Sequence, residues 1–504
     1  MSEASGAPVN EPSYEDVAYA GGAFPAMHPN WLASLAWLHG LPLPEVRRAR
    51  VIEFGCGEGG TLIPLALMMP EARFVGMDLS PAHIARGAAR AEALGLGNLS
   101  FVMGDLTTFD PEGARFDFAL AHGVYSWVPE AARHALIRLY GVVLSENGLG
   151  YLSFGAYPGG FLDHAVYGMA QIHARRMPPG QARIDAARDL SRTLLAAVPA
   201  DDAVWSVLRR RMEQLQSWSD GSIAHDVLSD SNTHAWLGDV AAQLDAVGLQ
   251  YVVDAKPVPT IELSAYPKLR ALLELGGNDP LLRAQYLDMA RLSRISQIVI
   301  ARKGTAPAAA PLPERMKAVR LRGTITAKSR EISLARGVAA TFTTSRGLDF
   351  TLDDPLAKAA VLAIASALPH GLEFDALPAA CARVLREAGL EREVGPAPAA
   401  HLARALADLV GWELLLPYLN PPPLAAAPGA RPVASALARL QLARGESPVN
   451  AWLETFQMGQ PVGGLVPLMD GTRDRAGLAA AIGAAPADVD SMVAMLHREG
   501  FLVA

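Results

Sequence analysis

An acidic residue stands two positions before a glycine-rich turn in the segment Val51-Ile-Glu-Phe-Gly-Cys-Gly-Glu-Gly-Gly60. The apolar run before the turn predicts a β-strand, and the glycines let the backbone turn sharply and approach a ligand closely. The acid, Glu53, then lies at the carboxyl end of that strand. A carboxylate there favours a cationic ligand, such as S-adenosylmethionine with its sulfonium and ammonium groups, over an anionic pyrophosphate.

The same glycines leave a second interpretation open. Gly55, Gly57 and Gly60 spell G-x-G-x-x-G, the fingerprint of dinucleotide-binding sites. In such sites the pyrophosphate sits on a helix N-terminus, where unpaired N–H groups favour anions. Glu53 would repel a phosphate in that place, so the segment favours S-adenosylmethionine and keeps a dinucleotide as the alternative.

Two further acids end the next two predicted strands. Asp78 ends Arg73-Phe-Val-Gly-Met-Asp78, where a carboxylate accepts hydrogen bonds from ribose hydroxyls, and Asp105 ends residues 99–105, placed to accept from an adenine amino group. Taken alone, either Asp78 or Asp105 could instead be a solvated loop carboxylate without a ligand. Because the carboxyl ends of parallel strands meet at one edge, the acids together predict one nucleoside site. The predicted cofactor contacts are Glu53, Gly55, Cys56, Gly57, Gly59, Asp78, Leu79, Asp105, Leu106 and His122.

The fourth predicted strand, Phe116-Asp-Phe-Ala-Leu-Ala121, runs into His122-Gly-Val-Tyr-Ser-Trp-Val-Pro129. Methyl transfer needs an in-line nucleophile, and an amine must first lose a proton. An aromatic channel assists by desolvating the amine and by holding the alkylated cation over a ring face. Tyr125 and Trp127 are predicted to line that channel, with core packing as their alternative. His122 is a candidate base, or a residue that contacts cofactor through its backbone.

A front segment and two cysteines complete the candidate site residues. Tyr19, Phe24 and His28 lie ahead of the first strand and are predicted to close over the channel, with Tyr19 and His28 as candidate catalytic residues. Cys56 is expected to contribute its backbone to the turn, and a catalytic thiol is the alternative. Cys56 and Cys381 offer neither a metal-ligand set nor a disulfide framework, so no metal and a reducing, cytoplasmic location are expected.

This order of motifs closely resembles the class I S-adenosylmethionine-dependent methyltransferases, and in particular the bacterial branch that carries a regulatory domain and includes protein lysine methyltransferases of outer-membrane proteins. The resemblance implies a Rossmann-like, seven-stranded α/β sheet, S-adenosyl-L-methionine as cofactor and a protein lysine as acceptor. A homodimer is a further expectation from the resemblance and the helical insertions. The motifs that carry it are residues 14–19, 24–29, 53–64, 121–129, 157–159 and 248–251, and in the C-terminal region residues 353–358, 431–435 and 468–475.

The chain departs from that family at four places in the entry and acceptor segments. Met27 stands where the family has Thr, and Thr61 where it commonly has Asn. Gly160 follows Pro-Gly where the family has an aromatic residue. Thr233-His-Ala-Trp236 replaces the Glu-Pro-Val-Tyr-like run that follows the residue matching Asn232.

Length and composition predict a globular chain of two or three domains. The chain has 504 residues, of which 51% are hydrophobic and 19% charged. Apolar runs are short, and residues 1–11 lack a charged region followed by an apolar core, so neither a membrane span nor a signal peptide is expected. The net charge of −7 gives no attraction to nucleic acid or acidic lipid.

The predicted domains follow the hydrophobic periodicity and the breaks. Residues 1–50 form an N-terminal cap segment, and residues 51–303 a methyltransferase domain with helical insertions at about 160–247 and 257–292. A Pro/Ala linker at 304–313 leads to a mostly helical C-terminal region, 314–504, which ends in a winged-helix-like unit. Its second helix has two acids at its start and Arg498 as its only fixed cation, so protein interaction is favoured over DNA binding.

Together these patterns predict methyl transfer from S-adenosylmethionine, and the resemblance implies protein lysine side chains as the preferred acceptor. Two alternatives stay open. One is N-, O- or C-methylation of a small molecule. The other is a catalytically silent, cofactor-binding regulator or scaffold, against which the intact set of Glu53, Gly55, Gly57, Asp78 and Asp105 argues.

Overall fold

A computed structural model describes residue 17 and residues 21–203, 205–256, 267–329, 331–345, 347–411 and 414–503. The strands of its central sheet are β1 (Arg50–Phe54), β2 (Arg73–Asp78), β3 (Leu99–Met103), β4 (Phe116–Ala121), β5 (Leu144–Ala156), β6 (His234–Ala235), β7 (Leu249–Asp254) and β8 (Ile295–Arg302). They follow the order β3-β2-β1-β4-β5-β8-β7, with the short β6 paired to β5 beside this path.

The first five strands are parallel, and β8 runs antiparallel to both β5 and β7. This arrangement confirms the Rossmann-like α/β fold predicted from the sequence, with the two-residue β6 as an additional strand. The predicted third strand reaches only to Met103, because the chain turns there and leaves Asp105 in the following turn. The predicted fifth strand begins earlier, at Leu144.

Both faces of the sheet are covered, as a mostly parallel sheet requires. The covering helices include α1 (Pro29–Leu38), α2 (Leu62–Met68), α3 (Pro81–Ala93) and α4 (Glu130–Val143). Side chains such as Val51 and Tyr151 pack on one face with α1 and α2, and their neighbours Ile52 and Leu152 pack on the other with α4. Alternation along each strand therefore builds two separate cores.

Several helices are inserted between β5 and β8. Tyr167, Ile184, Met212 and Ile223 give the first insertion its own apolar core, in agreement with the helices predicted for 160–247. Of the second insertion, predicted for 257–292, residues 257–266 lie outside the described residues. The inserted helices are α5 (Gly160–Ala174), α6 (Gln181–Ala197), α7 (Trp205–Ser217), α8 (Asp220–Ser222) with a π-helical turn at Ile223–Val227, α9 (Leu237–Ala246), α10 (Pro267–Glu274) and α11 (Pro280–Arg291).

In the part of the chain that the structure describes, the C-terminal region contains two small sheets and several helices. Its elements are β9 (Arg320–Arg322), β10 (Ile325–Ala327), β11 (Ala340–Thr344), β12 (Asp349–Leu352), β13 (Leu372–Glu373), β14 (Leu416–Tyr418), α12 (Pro355–Ser366), α13 (Leu377–Glu387), α14 (Pro398–Gly411), α15 (Ala436–Ala443), α16 (Val462–Leu465), α17 (Arg475–Ile482) and α18 (Pro486–Arg498). The sheets have three strands each, in the orders β10-β11-β12 and β13-β9-β14. Within the described residues no single helix is long and apolar enough to cross a membrane; only the pair α17 and α18, bent by 107° at its break, reaches that length and composition.

Helix α1 joins the C-terminal region to the sheet domain. The Asn30 amide accepts hydrogen bonds from the backbone N–H groups of Leu419 and Asn420, and donates to the Asn420 carbonyl at 2.8 Å. Within the predicted linker, the Ala308 N–H donates to the His39 carbonyl at 2.7 Å, so this segment packs along the end of α1. The domain limits drawn from the sequence remain predictions.

Candidate active site

The glycine turn holds the ends of three strands together. Gly55 and Gly57 have φ values of +69° and +54°, a backbone region that side-chain-bearing residues rarely adopt. The N–H groups of Gly55 and Cys56 both donate to the Met77 carbonyl on β2, at 2.8 and 3.0 Å. A Cβ on Gly55 would lie 2.5 Å from a methyl of Val124, in the loop after β4. The turn therefore needs glycine for its conformation and for its packing.

Asp78 is held as a carboxylate beside this turn. Its Oδ2 accepts from the Gly57 N–H at 2.8 Å, and its Oδ1 accepts from the Ser80 N–H at 2.9 Å and faces His83 Nδ1 at 3.4 Å. Burial works against ionisation, but the hydrogen bonds from His83, Ser80 and Gly57 hold the pKa of Asp78 below its usual value. The carboxylate has further lone pairs in position for ribose hydroxyls.

Glu53 is the buried acid of the site. Its side chain is 5% exposed, and its Oε2 has no hydrogen-bond partner among the described residues. Burial, and then the charge of Asp78, raise the pKa of Glu53 well above its usual value. A buried carboxyl oxygen without a partner is costly, and a cationic ligand group would satisfy it.

Apolar side chains flank Asp78 and Asp105, the two acids predicted to bind the nucleoside. Leu79 is 69% and Met103 62% exposed at the ends of β2 and β3, while Leu106 is buried. Asp105 is exposed, and the backbone and hydroxyl of Thr107 donate to it at 2.8 Å and lower its pKa. This edge offers an apolar surface and an acceptor for a flat heterocycle. Met103 is a candidate cofactor contact that the sequence interpretation missed, although its position two residues before Asp105 could have signalled it.

His122 lies under the front segment at the end of β4. Its Nδ1 is 2.8 Å from the Tyr151 hydroxyl, and the Phe24 ring stacks on its imidazole with centroids 3.6 Å apart. Burial, and then the charge of Lys256, lower the pKa of His122 to about 4. The imidazole is therefore neutral at pH 7. Phe24 therefore lies against the end of β4, and its place over an acceptor channel stays a prediction.

The structure corrects the role expected for Tyr125. The side chain is 2% exposed, its ring packs edge-on against Phe154, and its hydroxyl donates to Gln243 on α9 at 3.1 Å. Tyr125 thus belongs to the core beneath the sheet edge, the packing alternative that the sequence left open. Trp127 is half-buried, and its indole N–H has no partner among the described residues. Its place in an acceptor channel stays a prediction.

His28 and Cys56 also have structural roles. His28 is buried as the N-cap of α1, where its Nδ1 accepts from the Asn30 N–H at 3.1 Å, and burial lowers its pKa to about 4. The cap gives His28 a structural role, and its catalytic role stays a prediction. Burial raises the pKa of the Cys56 thiol, so a catalytic thiolate is disfavoured and the backbone role holds. Tyr19 lies outside the described residues.

Three family models match the chain in the order of its domains. Residues 51–148 match a methyltransferase domain, residues 219–300 a predicted methyltransferase regulatory domain, and residues 430–493 the C-terminal winged helix domain of PKMT. These matches confirm the resemblance to methyltransferases that carry a regulatory domain, with the domains in the predicted order. S-adenosyl-L-methionine is the cofactor of the methyltransferase, and Glu53, Asp78 and the apolar edge at Leu79 fit its ammonium, ribose and adenine.

Relatives of this methyltransferase cover different parts of it. An uncharacterized protein of Rickettsia prowazekii is 30% identical over 55% of the chain and 50% of its own length, so the chain spans about half the length of this curated relative. A second uncharacterized protein of that species is 24% identical over 44% of the chain and 90% of its own length. The trans-aconitate 2-methyltransferase of Methylobacterium radiotolerans is 36% identical over 20% of the chain and 36% of its own length.

A solved structure matches the architecture of nearly the whole methyltransferase. PKMT2 from Rickettsia typhi, in complex with AdoHcy, superimposes with a TM-score of 0.82 over 96% of this chain and 100% of its own, at 19% sequence identity. The two proteins therefore share a fold from the catalytic sheet to the winged helix.

Proposed function

We propose that this methyltransferase transfers methyl groups to lysine side chains of a protein substrate. The observation that carries the proposal is the architecture shared with PKMT2 over 96% of the chain, together with the PKMT winged-helix match at residues 430–493. The likeness to a small-molecule methyltransferase is confined to 20% of the chain. The cytoplasmic location and the homodimer predicted from the sequence stay predictions.

Different residues of the site would bind different parts of the cofactor. Glu53 would hold the cationic amino-acid end, Asp78 the ribose, and Asp105 with Leu79 and Met103 the adenine. Bound there, S-adenosylmethionine supplies an electrophilic methyl group. Phe24 and His122 then close the side of the site that faces the acceptor, and their stacked rings exclude water from it.

The site residues can position reactants, and positioning is most of what methyl transfer requires. A lysine amine must reach the methyl group in line and without its proton. The apolar surroundings of His122 and Trp127 favour the neutral amine over the ammonium, because burial penalises the charged form.

Labelling with a tritiated methyl group tests the proposal. The purified full-length chain is incubated with limiting tritiated S-adenosylmethionine and a bacterial lysate, and the label is followed into protein and into the small-molecule fraction. We expect label in protein and methyl-lysine on mass-spectrometric analysis, and clearly less label with Glu53→Gln. Label confined to small molecules would favour the rival acceptor class. Measurable AdoHcy binding without any labelling would favour the silent regulator.

A further inference from the structure

Two of the positions at which the chain departs from the family, Gly160 and His234, lie in contact with each other. His234 in β6 is buried, and its imidazole occupies the space beside Gly160 at the start of α5. A Cβ on Gly160 would overlap the ring of His234, and a Cβ on Gly155 would lie 2.7 Å from its Cδ2. The glycine at position 160 thus makes room for the imidazole of His234.

His234 links a buried acid to a second histidine. Its Nδ1 lies 2.8 Å from Nε2 of His164, and its Nε2 lies 3.7 Å from Oδ2 of Asp163. His164 Nε2 is also 3.2 Å from the Asn232 carbonyl, which can only accept. His164 Nε2 therefore carries the proton, His234 Nδ1 accepts it, and His234 Nε2 points its proton at Asp163. His164 Nδ1 is left with a lone pair.

Burial in this cluster favours the neutral form of His164. Asp163 is 2% exposed and accepts from Arg211 of α7 at 2.6 Å and from Arg294, ahead of β8, at 2.8 Å. Burial opposes ionisation, but His234, Arg211 and Arg294 lower the pKa of Asp163. Burial, and then His234, lower the pKa of His164, while Asn232 and Asp163 act in the opposite direction. A neutral His164 is free to accept a proton.

This cluster touches the loop that follows β4. The Thr233 N–H donates to the Ser126 carbonyl at 2.9 Å, and the Gly155 N–H donates to the Ser126 hydroxyl at 2.7 Å. Ser126 lies between His122 and Trp127 in sequence. The loop that packs on the cofactor turn through Val124 is therefore also hydrogen-bonded to Thr233, the residue before His234.

Three aromatic rings lead from the surface to His164. Tyr157 stacks on Phe161 with centroids 4.2 Å apart, and Trp236 lies 5.5 Å from Tyr157. Phe161 is 54% exposed. Tyr157 stands edge-on to His164 at 6.0 Å. An aromatic wall with one solvent-exposed end is suited to a long alkyl chain that ends in a cation.

We propose that His164, oriented by His234 and Asp163, is the general base for the methyl-acceptor amine, which approaches along Tyr157, Phe161 and Trp236. This inference rests on the proposed function. An N–H bond of the acceptor ammonium breaks, and the proton passes to His164 Nδ1. The freed lone pair forms the new N–CH₃ bond while the S–CH₃ bond breaks, so the product is a methylammonium and a neutral thioether. The His164 imidazolium then returns its proton to solvent. His234 and Asp163 are positioning residues that hold the tautomer.

The test is to measure how the rate of methyl transfer depends on pH in the His164→Gln variant of the full-length chain. The acceptor is the lysate protein that the unmodified chain labels. We expect the rate at pH 7.5 to fall about 100-fold, the lower end of a general base's contribution. The difference in rate between this variant and the unmodified chain should become smaller toward pH 10, where an amine with a pKa near 10.4 loses its proton without a base. The His234→Asn variant should lose less rate at pH 7.5, and its loss of rate should also become smaller toward pH 10.

His173→Gln, on the same helix α5, is the matched control and should leave rate and pH profile unchanged. AdoHcy binding by calorimetry should be the same in all three variants, which separates a proton-transfer defect from misfolding. A loss of rate of equal size at both pH values, or no loss of rate, would overturn the role of His164 as the base. Absence of protein label with the unmodified chain would instead overturn the proposed function.

Discussion

The phenyl ring of Phe24 stacks on the imidazole of His122 with their centroids 3.6 Å apart and their planes 23° from parallel. Phe24 belongs to the segment ahead of α1, and His122 follows β4. The contact closes the front segment over the sheet edge and removes the imidazole from water. It also contributes to the burial that lowers the pKa of His122 to about 4.

Phe24→Ala should therefore raise the pKa of His122 from about 4 toward its ordinary value of 6.5. The direction follows because burial disfavours the imidazolium, and the substitution restores solvent on one ring face. The measurement is an NMR titration of the histidine ring signals. Lys256→Gln is the control. It removes only the positive charge that also lowers the pKa of His122, so the pKa of His122 should rise less than in Phe24→Ala. An unchanged pKa in Phe24→Ala would contradict this account.

Cofactor binding should release a proton from Glu53. The raised pKa means that the free protein retains this proton at pH values where an exposed glutamate has lost it. An ammonium beside the carboxyl favours the ionised form, so affinity for AdoHcy should rise with pH. Calorimetry in two buffers of different ionisation enthalpy measures the released proton. Glu53→Gln should bind about 10-fold more weakly and release none. Equal proton release by both proteins would exclude Glu53 as its source.

Gly55→Ala should destabilise the protein and weaken cofactor binding. The change strains the backbone at φ +69° and drives a Cβ into Val124. Gly95→Ala is the matched control, since Gly95 has φ +68° and a Cβ added there would meet no atom within 4 Å. The strain alone costs about 1 kcal/mol, so thermal unfolding should show a larger loss for Gly55→Ala. Equal losses would show that packing against Val124 contributes nothing.

Tyr125→Phe should leave methyl transfer intact. The substitution removes only the hydrogen bond to Gln243, which is worth about 1 kcal/mol of stability. Denaturant unfolding measures that loss, and the labelling assay measures the rate. Trp127→Phe is the comparison, because it removes an indole N–H beside the site and should slow the transfer. A large loss of rate in Tyr125→Phe at unchanged AdoHcy affinity would restore Tyr125 to the acceptor channel.

Local pattern was enough to predict the arrangement of the glycine turn and of the acids beside it. A strand that ends in an acid and a glycine turn specifies its own geometry, because neighbouring residues in the chain set both the backbone conformation and the strand end. Glu53, Asp78 and the turn glycines lie where the sequence placed them, and the parallel sheet brings them to one edge.

The acceptor half depended on contacts between distant segments. Whether Tyr125 points at a channel or into the core is decided by Phe154 and Gln243, and no local pattern encodes those neighbours. Asp163 and His234 come from opposite ends of the first insertion, and only the pairing of β6 with β5 brings them together. The sequence determined the fold class and the cofactor turn, since these follow from periodicity and backbone chemistry over short stretches. The tertiary structure alone decided which side chains face one another across the edge, because that depends on long-range packing.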